Sequence, residues 1–344
     1  MSEKSIAVVG TGANGATLAA DMAIAGLDVT CIEQWPAHVE AIKAEGVRID
    51  SPQGPGERVP LRIFHLCEVA TLRQRFDLIY VVVKAYDTRW ACELVKPLLA
   101  PDGLAVGIQN GMTLDETASV FGPERTLAAV IENSANMFEP GIVERQTPRS
   151  QSWFALGSFH PSTVGREEEL AEPLRCVGTV EVTDDIRSAK WMKLVANAAE
   201  MLPSAIVGLP LVEALAIDGM REVMEAAGNE ALAAALASGR KIAPIFGQEG
   251  IERLEPEAYT RALLDAVANT FSLEDTRVTI LQDWMKGRRG EGEQMNGLVV
   301  SELAKAGETA PVAERLLKLA RQVEYGELEP TPANAELLIG CGLV

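Results

Sequence analysis

Residues 6–15 read Ile6-Ala7-Val8-Val9-Gly10-Thr11-Gly12-Ala13-Asn14-Gly15: a continuous aliphatic run, a turn with spaced glycines, and the start of an alanine-rich helical pattern. Four aliphatic residues in a row fit a strand buried on both faces of a parallel sheet. Gly10 permits the tight turn, Gly12 lets backbone amides approach a pyrophosphate, and Gly15 lets helix and strand pack closely with the helix N-terminus directed at the anion. The competing reading is a βα turn without a ligand. The strand before it and the helix after it favour dinucleotide phosphates, held along Gly10, Gly12, Ala13, Asn14 and Gly15.

The flanking sequence extends this pattern. Residues 14–25 read as a helix with Leu18, Met22 and Ala25 on one face and Gly26 at a C-cap position. Asp28–Glu33 is a second strand, and Leu78–Val83 and Leu104–Ile108 are further buried runs, so the first part of the chain predicts βαβ units with right-handed crossovers. From about Asn136 to Val182, short pieces separated by turns such as Pro140-Gly141 predict the antiparallel flank of a mixed sheet. Thr183 or Asp184 suits the N-cap of a long helix beginning near Ile186, and helical periodicity then dominates to about Tyr325. The expected class is α/β, with a Rossmann dinucleotide-binding domain over residues 1–184 and a helical domain over residues 185–344. The tail from Glu327, containing Glu329-Pro330-Thr331-Pro332, reads as a loosely packed extension.

Composition narrows the function classes. Among 344 residues, 31 Lys and Arg stand against 49 Asp and Glu, giving a net charge of −18 that argues against a nucleic-acid or anionic-membrane partner. No run reaches the roughly 18 apolar residues of a membrane-spanning helix, and the apolar start, Ser5 to Gly10, reads as folded protein rather than a leader. Cys31, Cys67, Cys92, Cys176 and Cys341 form an odd set without CxxC spacing, which predicts reduced thiols and a cytoplasmic location. Small molecules and copies of the same chain are the expected partners.

Several residues have types and positions suited to chemistry. Glu33 falls 18 residues after Gly15 at the end of the second strand, where a carboxylate hydrogen-bonds the adenosine ribose hydroxyls and repels a 2′-phosphate. Neither Gln34 nor Trp35 supplies a cation, so NAD is expected in preference to NADP. His38, His65 and His160 have no partner at metal or triad spacing and are expected to be structural or solvated, which leaves a lysine or carboxylate as proton donor. No metal requirement is indicated. Lys84 and Asn110 each follow a buried strand at the edge where open α/β sheets bind ligands; a solvated strand-end lysine and a plain Asn-Gly turn are the competing readings. Lys193 and Asn197, at i and i+4, share a helix face that is either an exposed stripe or a buried polar site. Glu291 alone would be a charged helix end.

Taken in order, these residues resemble the ketopantoate reductase family. The resemblance rests on the Gly10–Gly15 fingerprint, Val83-Lys84-Ala85, Gln109-Asn110-Gly111-Met112, Lys193-Leu194 with Asn197, Leu281-Gln282-Asp283, Arg288 to Gly297, and Gly307 to Pro311. It implies a Rossmann domain followed by an all-α domain of the 6-phosphogluconate dehydrogenase C-terminal-like type, a homodimer, and reduction of a 2-keto acid to a 2-hydroxy acid with a nicotinamide cofactor. By position, Lys193 would be the general acid, Asn110 would hold the nicotinamide, and Lys84 would lie near cofactor and carbonyl. Asn197 would orient substrate, Glu291 would bind a substrate hydroxyl and the catalytic lysine, and Thr279 would bind the substrate carboxylate. Met201 stands where ketopantoate reductases usually carry a second asparagine, Thr276 replaces another, and Glu33 replaces the basic residue of NADP-using members. These departures favour an NAD(H)-dependent enzyme of a small 2-keto/2-hydroxy acid. Authentic NADPH-dependent 2-dehydropantoate 2-reductase is the alternative, and a non-catalytic dinucleotide-binding sensor is the reading from another class.

Overall fold

The computed structural model describes residues 4–248 and 250–339, so Cys341 lies outside the described residues. Two compact units divide the chain, Met1–Ile186 and Arg187–Val344.

In the first unit the described strands of the main sheet are β1 (Ser5–Val9), β2 (Asp28–Glu33), β3 (Arg62–His65), β4 (Phe76–Val81), β5 (Leu99–Ile108), β6 (Thr126–Glu132), β7 (Trp153–Gly157) and β8 (Thr179–Val182). Their spatial order is β8-β7-β6-β5-β4-β1-β2-β3. The sheet is parallel from β3 through β6, with Ala7 of β1 facing Thr30 on one side and Ile79 on the other. Strand order therefore reverses between β1 and β4, the switch point at which doubly wound sheets bind ligands. Strict alternation along β1 feeds two cores: Ile6 and Val8 join Leu18, Met22 and Cys31 on one face, while Ala7 and Val9 join Ile32, Cys92 and Phe121 on the other. Helix α1 (Ala13–Ile24) covers the first face and closes one residue before the expected C-cap region, leaving Ala25 exposed. Strand β4 stops at Val81, although Val82 still donates its N–H to the Val9 carbonyl at 2.7 Å.

The expected antiparallel flank is only partly as the sequence suggests. β7 does run antiparallel to β6, but Ile142–Arg145 pairs parallel to Val47–Asp50 in a separate small sheet with Arg58–Val59 and Ala135–Asn136. Short strands carry little register information of their own. Burial of Val143 and Val47 in the same core cluster selects the partner.

The second unit contains no strand among its described residues. Its principal helices are α2 (Ile186–Ile206), α3 (Met220–Ala237), α4 (Pro256–Ala266), α5 (Thr279–Met285), α6 (Gly292–Lys305), α7 (Pro311–Glu324) and α8 (Ala335–Ile339), and α3 packs against α4, α6, α7 and α8. Helix α2 begins at Ile186, so Asp185 rather than the expected Thr183 or Asp184 directly precedes it; the Thr183 hydroxyl instead accepts the Asp185 N–H at 3.2 Å in the turn before the helix. The tail corrects the expectation of loose packing. Asn334 is buried and donates to the Ile206 and Glu329 carbonyls at 2.9 and 2.8 Å, so it satisfies a carbonyl left open at the end of α2. Leu338 is buried as α8 packs on α3. Pro and polar residues signalled only the absence of a long helix, not the absence of tertiary partners.

Among the described cysteines, Cys31, Cys67, Cys92 and Cys176 are free. No helix among the described residues is long and apolar enough to cross a membrane.

Candidate active site

Adjacent parallel strands bring the first set of candidate residues to one edge. The carboxyl ends of β2, β1, β4 and β5 carry, in that spatial order, Glu33, the Gly10 turn, Val82–Lys84 and Gln109–Asn110. Gly10 has φ +90°, and a Cβ there would lie 2.7 Å from Val83 Cγ1. A Cβ on Gly15 would lie 1.9 Å from the Gly10 carbonyl oxygen, so neither position admits a side chain. Gly12 differs, because apart from its chain neighbours no atom lies within 4 Å of a Cβ built there. It is the N-cap of α1 and offers no side-chain cap, so the first-turn N–H groups depend on another acceptor. A bare helix N-terminus beside an uncrowded glycine fits a dinucleotide pyrophosphate.

The neighbouring side chains are already organised. Asn14 Oδ1 accepts from Asn133 Nδ2 at 3.0 Å, and Asn133 Oδ1 accepts the Ser152 hydroxyl at 3.0 Å. Sequence reading missed Asn133, although it follows buried β6 at the carboxyl edge just as Asn110 follows β5. Glu33 is 4% exposed and its Oε1 accepts the Trp35 N–H at 2.9 Å. Gln109 donates to the Val83 carbonyl at 2.8 Å and to the Thr88 hydroxyl at 2.9 Å. That bridge fixes the segments carrying Lys84 and Asn110, both half-buried, and Gly111 takes φ +75° to make the turn.

The second unit builds its site on α2. Lys193 is 7% exposed and Asn197 is 0% exposed, which decides between exposed stripe and buried polar site in favour of the latter. Lys193 Nζ lies 5.0 Å from the centroid of the Phe246 ring, a cation–π contact with a residue the sequence did not single out. Phe246 holds φ +63°, in the left-handed region a bulky residue rarely adopts, so its placement is imposed by its surroundings. Both Oδ1 and Nδ2 of Asn197 are buried without a hydrogen-bond partner, a costly arrangement for a side chain with no task. Lys190, one turn before Lys193, is also buried, and burial pushes its ammonium down to about 8.

The remaining candidates sort into two groups. Met201, one turn beyond Asn197, accepts from the Thr279 hydroxyl at 3.6 Å through its sulfur. Glu291 is buried at the N-cap of α6. That helix is held against α2, because Asn296 donates to the Ala198 carbonyl at 3.3 Å and a Cβ on Gly292 would lie 3.3 Å from Leu202 Cδ2. Lys193, Asn197 and Met201 thus share one helix face, with Thr279 at Met201 and Glu291 on a helix anchored beside it. Thr276 is engaged otherwise: its hydroxyl oxygen accepts the Leu273 N–H at 2.7 Å and closes a turn.

Comparison with known proteins agrees with this architecture. Residues 6–159 match the family described as Ketopantoate reductase PanE/ApbA, and residues 185–324 match its C-terminal counterpart, Ketopantoate reductase PanE/ApbA C terminal. A 2-dehydropantoate 2-reductase from Archaeoglobus fulgidus is 26% identical over 322 residues, covering 93% of this chain and 98% of the relative. The crystal structure of a PanE/ApbA family ketopantoate reductase from Ralstonia eutropha JMP134 has TM-score 0.78 and 27% identity, covering 94% of this chain and 99% of that one. A D-mandelate dehydrogenase solved with NADH and anilino(oxo)acetate shares the fold, with TM-score 0.83, 19% identity, and coverage of 94% and 99%. The fold and the matched families define an NAD(P)-dependent oxidoreductase acting on CH–OH groups. The chain belongs to the ketopantoate reductase family, which sets aside the sensor reading.

Proposed function

We propose that this protein reduces the 2-keto group of 2-dehydropantoate, with Lys193 as proton donor and NADH as the preferred reductant. The relatives that match over nearly the whole chain support this substrate over the wider set of 2-keto acids to which the sequence departures point. The buried Lys193–Asn197 face is the observation that carries the proposal, because a carbonyl that receives hydride becomes an alkoxide and needs both a proton and local positive charge. When bound, a nicotinamide dinucleotide supplies the hydride. The chain's own residues do the rest: Lys193 protonates the carbonyl oxygen, Asn197 orients the substrate through its open amide, Glu291 takes a substrate hydroxyl and the lysine, and Thr279 takes the carboxylate. In the first domain, residues 1–184 in this reading, the Gly10–Gly15 turn binds pyrophosphate, Asn110 and Lys84 hold the nicotinamide end, and Glu33 holds the adenosine ribose. The helical domain over residues 185–344 binds substrate and forms the contacts of a homodimer in the cytoplasm.

One observation favours a second reading, a different 2-keto acid. Thr279 donates to Met201, where a second amide would serve a more polar substrate, and losing one such donor changes affinity by about 1–3 kcal/mol.

Glu33 carries the preference for NADH, and titration calorimetry tests it. NADH should bind more tightly than NADPH, and Glu33→Ala should weaken NADH by about tenfold while narrowing the gap. Tighter binding of NADPH by the natural protein would refute the role given to Glu33 and leave the NADPH-dependent reductase in its place. In the same preparation, light scattering should give twice the mass of one chain.

A further inference from the structure

We propose that His38 is a positioning residue for the dinucleotide: its Nε2–H holds the Thr11 carbonyl and thereby aims the Gly12 N–H at the phosphates. The inference rests on the reading of the Gly10–Gly15 turn as the dinucleotide site. His38 lies in the helix Pro36–Glu45 directly after β2 and is completely buried, as is Thr11. Its Nε2 is 3.0 Å from the Thr11 oxygen, and its Nδ1 is 2.9 Å from the Gly141 backbone nitrogen. A backbone N–H only donates, so Nδ1 must present its lone pair, and the single proton of the neutral ring sits on Nε2. That tautomer donates to Thr11. Trp35 stacks on one face of the imidazole with centroids 5.7 Å apart and planes 11° from parallel, which fixes the ring's orientation.

Peptide geometry carries the consequence across the turn. The Thr11 carbonyl and the Gly12 N–H belong to one trans peptide plane and point in opposite directions. Holding the carbonyl inward on His38 therefore turns the Gly12 N–H outward. The plane joins Thr11 to Gly12, and the glycine on its N–H side has no Cβ to limit rotation, so an anchor on the carbonyl side sets its orientation. The Gly12 carbonyl accepts the Ala16 N–H at 2.8 Å, and apart from its chain neighbours no atom lies within 4 Å of a Cβ built there, so its N–H side lies open. The same imidazole ties in the Pro140-Gly141 turn, whose glycine takes φ +74°. His38 thus presets, before any ligand arrives, an amide that would otherwise be ordered at the expense of binding free energy.

Two substitutions separate the two ring contacts. In His38→Gln the side-chain amide nitrogen falls near the position of Nε2 and still reaches Thr11; in His38→Asn the amide falls near Nδ1, meets Gly141 and stops short of Thr11. With NADH and NADPH as titrants, His38→Asn should weaken the better-bound dinucleotide by about tenfold and His38→Gln should recover most of the loss. The KM for dinucleotide should rise in His38→Asn while kcat at saturation stays within about twofold, since the proton donor is untouched. A purely structural role would lower thermal stability in both variants and leave dinucleotide affinity unchanged, and that result overturns the proposal. Should both variants fail to fold, nitrogen-15 histidine spectra of the natural protein decide. An Nε2–H tautomer whose resonance moves on adding NADH supports the role; an Nδ1–H tautomer, or a resonance that does not move, overturns it. Natural protein that binds neither dinucleotide would sink the site itself, a failure distinct from unchanged affinity in the variants.

Discussion

His38 and Asn197 illustrate what a single residue discloses in sequence and what it withholds. The i, i+4 spacing places Lys193 and Asn197 on one face, but only packing reveals that the face is buried and that the Asn197 amide has no partner there. His38 gives no signal of its own, since neither a metal nor a triad spacing surrounds it. Its role emerges from contacts with residues 11 and 141, far apart in the chain. The expectation of a structural histidine fits its burial, which pushes the imidazole down to about 4 from the ordinary 6.5. The sign of the resulting pH dependence follows by linkage. The folded state keeps His38 neutral to about 4, whereas the unfolded chain takes up the proton below about 6.5, so this contribution to stability is complete above 6.5 and is lost as pH falls toward 4. Its size is up to about 3 kcal/mol. Denaturant unfolding at about pH 7 and about pH 4.5 should give a smaller acid loss in His38→Gln than in the natural protein. An equal loss would mean that other groups set the acid limit.

At the scale of elements, local periodicity found β1, β2, β4, β5, α1 and α2, because aliphatic runs and capping residues are written into each segment. Pairing was less readable. Residues 142–145 join residues 47–50 through burial against a shared core, a long-range choice that short strands do not encode. A second long-range contact concerns the start of α7. Pro311 occupies its first turn, and Glu230 of α3 accepts the Val312 and Ala313 N–H groups at 2.9 and 2.8 Å, capping the helix from a neighbouring element. Pro311 was visible in sequence as the end of Gly307–Pro311, whereas its cap, 81 residues upstream of it, was not. Removing a cap costs about 0.5–2 kcal/mol. Glu230→Ala should therefore lower the thermal midpoint by several degrees, with activity at low temperature retained. An unchanged midpoint would show that solvent satisfies those two amides equally well.

For the molecule as a whole, the sequence switches from alternating strand and helix to continuous helical periodicity, and the contacts divide the chain into Met1–Ile186 and Arg187–Val344. The tail was misread because its prolines and polar residues describe local conformation, while Asn334 and Leu338 are held by other parts of the second unit. Function divides in the same way. The first unit carries the uncrowded glycine turn and Glu33; the second carries the buried lysine and open amide. In the proposed function Lys193 is the proton donor, and the variant that tests it is Lys193→Ala. The decisive measurement is the rate at which 2-dehydropantoate drives oxidation of NADH and NADPH by the natural protein and by Lys193→Ala, with dinucleotide affinity measured alongside. The natural protein should turn over, and the variant should lose about 100-fold or more while binding dinucleotide as before. A variant that keeps most of its rate would contradict the assignment of Lys193 as proton donor.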